Sequence, residues 1–250
     1  MAVLGIIPAR YASTRFPGKP LALINGKPMI QHVYERVCQI AQVDDAIVAT
    51  DDERIRAAVE GFGGKVMMTS SEHRSGTDRC GEVMRKLGTE AAQYDIVINI
   101  QGDEPFVDAT QIEAVIGAFE EPSTQIATLK KKIESQDMLF SPNVVKVVDT
   151  PQHDALYFSR QPLPFQRGTD PTLWMEHHTY YKHIGIYGFR RETLLAVVGL
   201  GQTPLEKCES LEQLRWLENG YKITVRETNV ENLSVDTPED LERLLKTSTI

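Results

Sequence analysis

One stretch near the start of the chain, Pro8-Ala9-Arg10-Tyr11-Ala12-Ser13-Thr14-Arg15-Phe16-Pro17-Gly18-Lys19-Pro20, brings three cations, a hydroxyl and a glycine into a single loop directly after a short apolar run. A triphosphate needs this combination. Several negative charges must be neutralised while backbone N–H groups approach the oxygens. Arg10 and Arg15 can grip phosphate oxygens in pairs, and Lys19 offers a mobile point charge. The loop is neither GxxxxGK[ST] nor GxGxxG, so the two commonest readings of a nucleotide-binding turn lose support.

Carboxylates follow at two places. Gln101-Gly102-Asp103-Glu104-Pro105 comes directly after Ile96-Val97-Ile98-Asn99-Ile100, the most apolar strand pattern in the chain. No helix begins there for several residues, so Asp103 has no capping duty. Magnesium favours hard oxygen ligands and usually takes one or two carboxylates together with substrate phosphates. Asp103 is therefore a candidate metal ligand, Gln101 a candidate contact to nucleotide or sugar, and Glu104 stays unassigned. Asp236 is different. Thr237-Pro238-Glu239-Asp240 is an ordinary helix start, with proline at the first position and acids in the first turn, and local chemistry alone makes Asp236 a turn or cap residue.

Between them lies Arg74-Ser75-Gly76-Thr77-Asp78, where Gly76 allows a planar base close to the backbone and the polar neighbours can satisfy its donors and acceptors. The same residues also suit a helix cap at Thr77 or Asp78. Farther on, Arg160 and Gln161, the strand pair His183 and Tyr187, and Glu212 and Gln213 could together bind an acidic, hydroxyl-rich molecule. His183 and Tyr187 are four residues apart and share a strand face. Each has an ordinary structural alternative.

These groups must be held by elements that alternate in the first half: strands at Val3–Ile7, Ala46–Thr50, Val66–Met68 and Ile96–Ile100, with helices at Pro28–Ile40, Asp52–Phe62, Asp78–Leu87 and about Ala109–Phe119. Such alternation predicts an α/β fold with a doubly wound, mostly parallel sheet, whose ligands bind beyond the carboxyl ends of the strands. The second half is less regular, with strands expected at Val144–Val148, Ala155–Phe158, Lys182–Phe189 and Ile223–Val225 and helices at Leu211–Glu218 and Asp240–Leu245. We read 1–250 as one domain in which about 150–190 adds a small inserted lobe. Its proline- and glycine-rich stretch Gln161–Pro171 suits a contact between two copies. Lys130-Lys131-Lys132 reads as a solvated edge.

Composition sets outer bounds. The chain has 250 residues, 41% hydrophobic and 25% charged, which is ordinary for a globular protein. A net charge of −8 argues against nucleic acid as a partner. Cys38, Cys80 and Cys208 are widely spaced, fitting neither a zinc site nor a disulfide framework. Their number and the absence of a membrane-length apolar run point to a cytoplasmic protein with no membrane partner.

The spacing Arg10-x-x-Ser13-x-Arg15-x-Pro17-x-Lys19 resembles the sugar-acid cytidylyltransferases. Four later segments, His73–Arg79, Asn99–Pro105, His183–Tyr187 and Ser234–Asp240, are similar to the members that act on 3-deoxy-manno-octulosonate (KDO). These matches run in order over nearly the whole chain. The resemblance implies a nucleotide-diphospho-sugar transferase-like fold, CTP and KDO as substrates, Mg2+ as cofactor and a homodimer. It implies that Arg10, Ser13, Arg15, Lys19, Arg74, Ser75, Gly76, Asp78 and Gln101 bind CTP, and that Arg160, Gln161, His183, Tyr187, Glu212 and Gln213 bind KDO. It makes Asp103 and Asp236 the metal pair and, with Lys19, the catalytic set. Rival readings are a cytidylyltransferase for another acid sugar, a glycosyltransferase, and a nucleotide sensor that performs no chemistry.

Overall fold

The computed structural model describes residues 1–12, 16–231, 235 and 237–247. In chain order the elements are β1 (Val3–Ala9), β2 (Leu23–Ile24), β3 (Lys27–Pro28), α1 (Met29–Cys38), β4 (Asp45–Thr50), α2 (Glu53–Gly61), β5 (Val66–Met68), α3 (Gly76–Leu87), β6 (Ile96–Asn99), α4 (Ala109–Gly117), β7 (Ile126–Lys132), α5 (Gln136–Phe140), β8 (Lys146–Asp149), β9 (Ala155–Ser159), α6 (Trp174–His177), β10 (Tyr181–Arg190), α7 (Arg191–Val197), α8 (Pro204–Glu209), α9 (Gln213–Glu218), β11 (Ile223–Glu227) and α10 (Pro238–Thr247). They group into two compact units. The first holds 1–113, 189–198 and 231–250; the second holds 114–188 and 199–230. The segment 150–190 lies almost wholly in the second.

In the first unit the strand order is β6-β1-β4-β5, and every pairing is parallel. Parallel strands covered on both faces read as continuous apolar runs, and β1 and β6 do so: Leu4, Ile6, Ile7, Ile96, Val97 and Ile98 are fully buried. Helix α1 turns Met29, Ile30, Val33 and Val37 inward at helical spacing. It approaches β1 where Gly5 has no side chain, and a Cβ there would meet Val37 at 3.0 Å. Helix α2 is capped by Asp52, which accepts from the Arg54 N–H at 2.9 Å. It stops as expected at Gly63-Gly64: Gly63 is left-handed, and the Gly64 N–H reaches the Val59 carbonyl at 2.8 Å.

In the second unit β11 pairs in parallel with β7, and β8 lies antiparallel between β9 and β10. Strand β7 was not expected from the sequence. Its lysines hid it, and Lys130 corrects the solvated-edge reading. Lys130 is 6% exposed, donates to both oxygens of Asp149 at 2.7 Å and sits over the Tyr181 ring. Helix α8 was also unexpected. It begins at Pro204, and Arg215 is paired with its buried Glu206 through two hydrogen bonds, at 2.8 and 2.5 Å. The remaining sequence-derived boundaries shift by a few residues, as element ends commonly do.

Candidate active site

The carboxyl ends of β1 and β6, the start of α3 and the single helical turn Lys19–Leu21 surround a cavity of about 310 Å³. Its wall includes Arg10, Lys19, Arg74 and Arg79, and Asp103 is the one acid lining it among the described residues. Gly18 sets the approach of Lys19. Its φ of 72° is the left-handed region that glycine tolerates, and its N–H closes the loop onto the Tyr11 carbonyl at 2.9 Å. Lys19 Nζ then donates to Asp103 Oδ2 at 2.7 Å. The partners are 12% and 31% exposed, so the pair is partly shielded from water. Close by, the Val235 N–H donates to the Asp103 carbonyl at 3.0 Å.

The loop carrying Asp103 is held tightly. A Cβ on Gly102 would stand 2.7 Å from the Pro8 carbonyl oxygen, closer than real Cβ atoms approach backbone. Gly102→Ala must therefore push the Gln101–Asp103 loop off β1. Misplacing a reacting group by an ångström costs on the order of 100-fold in rate. We expect kcat to fall by at least ~10-fold and CTP binding to weaken as Gln101 moves with the loop, as measured by steady-state kinetics and calorimetry.

The α3 start corrects the expected cap. Ser75, not Thr77 or Asp78, is the cap residue, its Oγ accepting from the Asp78 N–H at 3.1 Å. Ser75 thus serves two purposes, because it also lines the cavity with Gly76. Asp78 is drawn into the first helical turn and is absent from the cavity wall. Arg10, Arg74 and Gln101 line the cavity as expected. Ser13, Arg15 and Asp236 lie outside the described residues.

Two lining residues were missed as site members. Arg79 is 4% exposed; it donates to Thr69 Oγ1 at 2.7 Å and to Asp51 Oδ2 at 3.0 Å, bracing the strand ends behind the cavity. His73 bonds to Glu82. Burial pushes the Glu82 carboxyl up, but hydrogen bonds from Lys86, the Ser70 N–H and His73 outweigh it and hold the group at about 2. The signal for both lay in the 73–79 segment, where an arginine inside an amphipathic helix reads locally as a surface residue.

The six residues of the second group all fall in the second unit. His183 and Tyr187 do share a face of β10, with ring centroids 5.2 Å apart, and Tyr187 packs edge-on against Trp216 of α9. Burial raises the Tyr187 phenol well above its usual range, and the nearby negative charge of Glu212 adds to this. Burial lowers His183 to about 3, so the ring is neutral at physiological pH. Its Nε2 is 2.9 Å from Thr128 Oγ1, and that hydroxyl reaches the Ile186 carbonyl at 2.8 Å. With Thr128 donating to the carbonyl, Nε2–H is the donor to Thr128 and Nδ1 is left as an acceptor. Gln213 is 5% exposed at the start of α9, beside Glu212. Arg160 departs from expectation. Its guanidinium donates to three main-chain carbonyls: Glu209 at 2.7 Å, Pro142 at 3.0 Å and Ser210 at 3.4 Å. Two of its five N–H groups are left for a ligand.

Magnesium fits this donor set in one way. Among the described residues no three His, Cys, Asp or Glu side chains cluster to hold a metal by themselves. Asp103 can offer a carboxylate oxygen into a cavity lined with cations, which suits an ion that completes its shell with substrate phosphates and water.

A parallel α/β sheet whose strand ends open on a cavity lined by cations and a carboxylate suits an enzyme of the nucleotide-binding class. Comparison with known proteins agrees with that class. The cytidylyltransferase family profile matches residues 4–223. The chain is 57% identical over 244 residues to the 3-deoxy-manno-octulosonate cytidylyltransferase of Bacteroides thetaiotaomicron, covering 96% of each chain. It is 55% identical over 249 residues to the protein of that name from Parabacteroides distasonis, covering 98% and 97%. A solved structure of CMP:2-keto-3-deoxy-manno-octonic acid synthetase complexed with CTP superimposes with a TM-score of 0.90 at 44% identity, over 99% of this chain and 98% of that one. The 4-diphosphocytidyl-2C-methyl-D-erythritol synthase of Anaerococcus prevotii, at 16% identity and a TM-score of 0.62 over 98% and 97% of the two chains, shares the fold alone. The chain belongs to the cytidylyltransferase family and is a nucleotidyltransferase enzyme.

Proposed function

We propose that the chain transfers CMP from CTP to the C2 hydroxyl of KDO, giving CMP-KDO and pyrophosphate. The observation that carries this reading is the cavity in which Lys19 is paired with Asp103 beside Arg10 and Arg74. The sugar rests on the near full-length likeness to the KDO enzymes. In one displacement the C2 oxygen of the sugar bonds to the α-phosphorus, the bond to the β-phosphate oxygen breaks, and the hydroxyl proton is lost to solvent. Arg10 and Lys19, with Ser13 and Arg15 from the same loop, neutralise the triphosphate. Lys19 moves from Asp103 to the phosphates, where charge shifts in the transition state. Ser75 and Gly76 receive the base. Arg160, Gln161, His183, Tyr187, Glu212 and Gln213 orient the acid sugar, with the His183 Nδ1 accepting from a hydroxyl.

Asp103 and Asp236 would hold Mg2+. Val235, the residue before Asp236, hydrogen-bonds to the Asp103 main chain, which supports pairing the two acids. When bound, the ion supplies Lewis-acid polarisation of phosphoryl oxygens and makes the attacking hydroxyl more acidic. The proposed setting is the cytoplasm, the proposed assembly a homodimer and the proposed use lipopolysaccharide biosynthesis. No nucleic-acid or membrane partner is proposed, and no helix among the described residues is long and apolar enough to cross a membrane.

Pyrophosphate release from CTP, assayed with a panel of acid sugars, tests the reading. KDO is expected to support turnover and sialic acid not. Turnover with another acid sugar alone, or CTP binding without pyrophosphate release for any sugar, would sink it.

A further inference from the structure

Lys146 is the most deeply buried cation among the described residues, 0% exposed, and no carboxylate is ion-paired with it. Its ammonium group meets three main-chain carbonyls instead: Ser141 at 2.9 Å, Val144 at 2.6 Å and Arg160 at 2.5 Å. The three protons of a lysine ammonium match three acceptors, so each proton has a hydrogen-bond partner. Burying an unpaired ammonium is expensive. A surface turn such as 141–144 could be closed by a serine or asparagine at far lower cost. The strand register explains where the cation has been put. On β8, Lys146 lies opposite Ser159 of β9 and Lys182 of β10, so its side chain ties the end of β9 to the 141–144 turn.

A second clamp grips the same peptide from the other side. Glu209, at the end of α8, accepts from the Ser159 hydroxyl at 2.6 Å and from the Arg160 N–H at 2.9 Å, and the Arg160 Nε donates to the Glu209 carbonyl at 2.7 Å. The Gln161 N–H closes onto Ser159 Oγ at 3.0 Å. The Arg160 carbonyl, the Arg160 N–H and the Gln161 N–H therefore end on Lys146, Glu209 and the Ser159 hydroxyl in turn. Burial lowers Lys146 to about 8, the charge of Arg160 lowers it further, and Glu209 opposes both. The buried Lys146 and the partly exposed Arg160 and Glu209 thus act as one charged cluster. Two of them, Lys146 and Glu209, have no part in the reaction as described above.

We propose that Lys146 and Glu209 are positioning residues for the acceptor sugar: together they fix the Ser159–Gln161 peptide so that Arg160 and Gln161 meet the acid sugar in one orientation. The inference rests on the assignment of Arg160 and Gln161 to the sugar, and it goes beyond that assignment by naming the groups that hold them. With three of the five Arg160 donors spent on the main chain, its remaining two N–H groups have a fixed direction. That suits recognition of a carboxylate attached to a rigid ring.

The test is a comparison of Ser159→Ala, Lys146→Met and Glu209→Gln with the wild type, measuring KM for CTP, KM for KDO, kcat and Tm. Ser159→Ala removes only one hydroxyl and remains informative if Lys146→Met fails to fold. The expected result is a KM for KDO raised roughly tenfold with KM for CTP within about twofold of wild type, because the sugar is misoriented while the nucleotide loops are untouched. A lower Tm with both KM values unchanged would assign the cluster to stability alone and overturn the inference. Equal rises in both KM values would overturn it as well. Wild-type protein that releases no pyrophosphate from CTP with KDO overturns the proposed function, and the inference with it. Wild-type turnover with an unchanged KM for KDO in Ser159→Ala overturns the inference alone.

Discussion

Asp103→Asn is expected to lower kcat by about 1000-fold while CTP still binds, since ~4 kcal/mol of lost transition-state charge stabilisation corresponds to that factor. Asparagine keeps the shape of the side chain and removes its charge. Two consequences follow from the geometry. The one acid lining the cavity among the described residues is neutralised, which weakens the proposed Mg2+ site. Lys19, which otherwise spends its ammonium on Asp103 Oδ2 at 2.7 Å, is released toward the phosphates. Ground-state affinity for CTP is then unchanged or tighter even as turnover collapses, the pattern of an interaction needed in the transition state rather than in binding. Steady-state pyrophosphate release, CTP calorimetry and Mn2+ binding measured by electron paramagnetic resonance separate these effects. Wild-type kcat in this variant would remove Asp103 from the mechanism.

Arg79→Met carries the largest expected cost in stability. The guanidinium is 4% exposed and reaches Asp51 Oδ2 at 3.0 Å, Thr69 Oγ1 at 2.7 Å and the Ser70 carbonyl at 3.2 Å. Asp51 depends on this partner, because its buried Oδ1 has no hydrogen bond among the described residues. Methionine preserves most of the aliphatic volume and leaves the carboxylate uncompensated, a change that typically costs about 3 kcal/mol or more. For a chain of this size that is a fall in Tm of roughly 10 °C. The double variant Asp51→Asn, Arg79→Met should recover much of the loss, since the stranded charge is gone. KM for CTP should rise in the single variant, because Arg79 also forms part of the cavity wall. A melting temperature within two degrees of wild type, checked by calorimetry at matched concentration, would contradict this account of the ion pair.

Much of the first unit was legible from the sequence because its signals are local. The basic loop follows β1 directly, Asp103 follows β6 directly, and the strand–helix alternation fixes which strand ends face the ligand. Ser75 was legible only in part. Its segment was right, but the cap and the cavity wall are the same residue, and sequence chemistry favoured Thr77 or Asp78 for the first role. In the second unit the likeness to relatives did more of the work. The faces of His183 and Tyr187 follow from strand period, but nothing local announces that Thr128 orders the His183 ring, or that Arg160 spends three of its five donors on carbonyls.

Lysines mark where sequence reading fails. Lys130 reads as a solvated edge and nothing local marks Lys146, yet one is buried against Asp149 and the other against three carbonyls. By itself the sequence determined most of the run of strands and helices, the basic loop after β1 and the acid at the end of β6, because periodicity and adjacency are properties of neighbours in the chain. The tertiary structure alone decided which charges meet. Lys19 finds Asp103 across 84 residues, and Arg79 finds Asp51 across 28. The physical reason is that the stability of a charge depends on its access to water and on the partner that replaces water, and both are set by distant segments brought together as the chain folds.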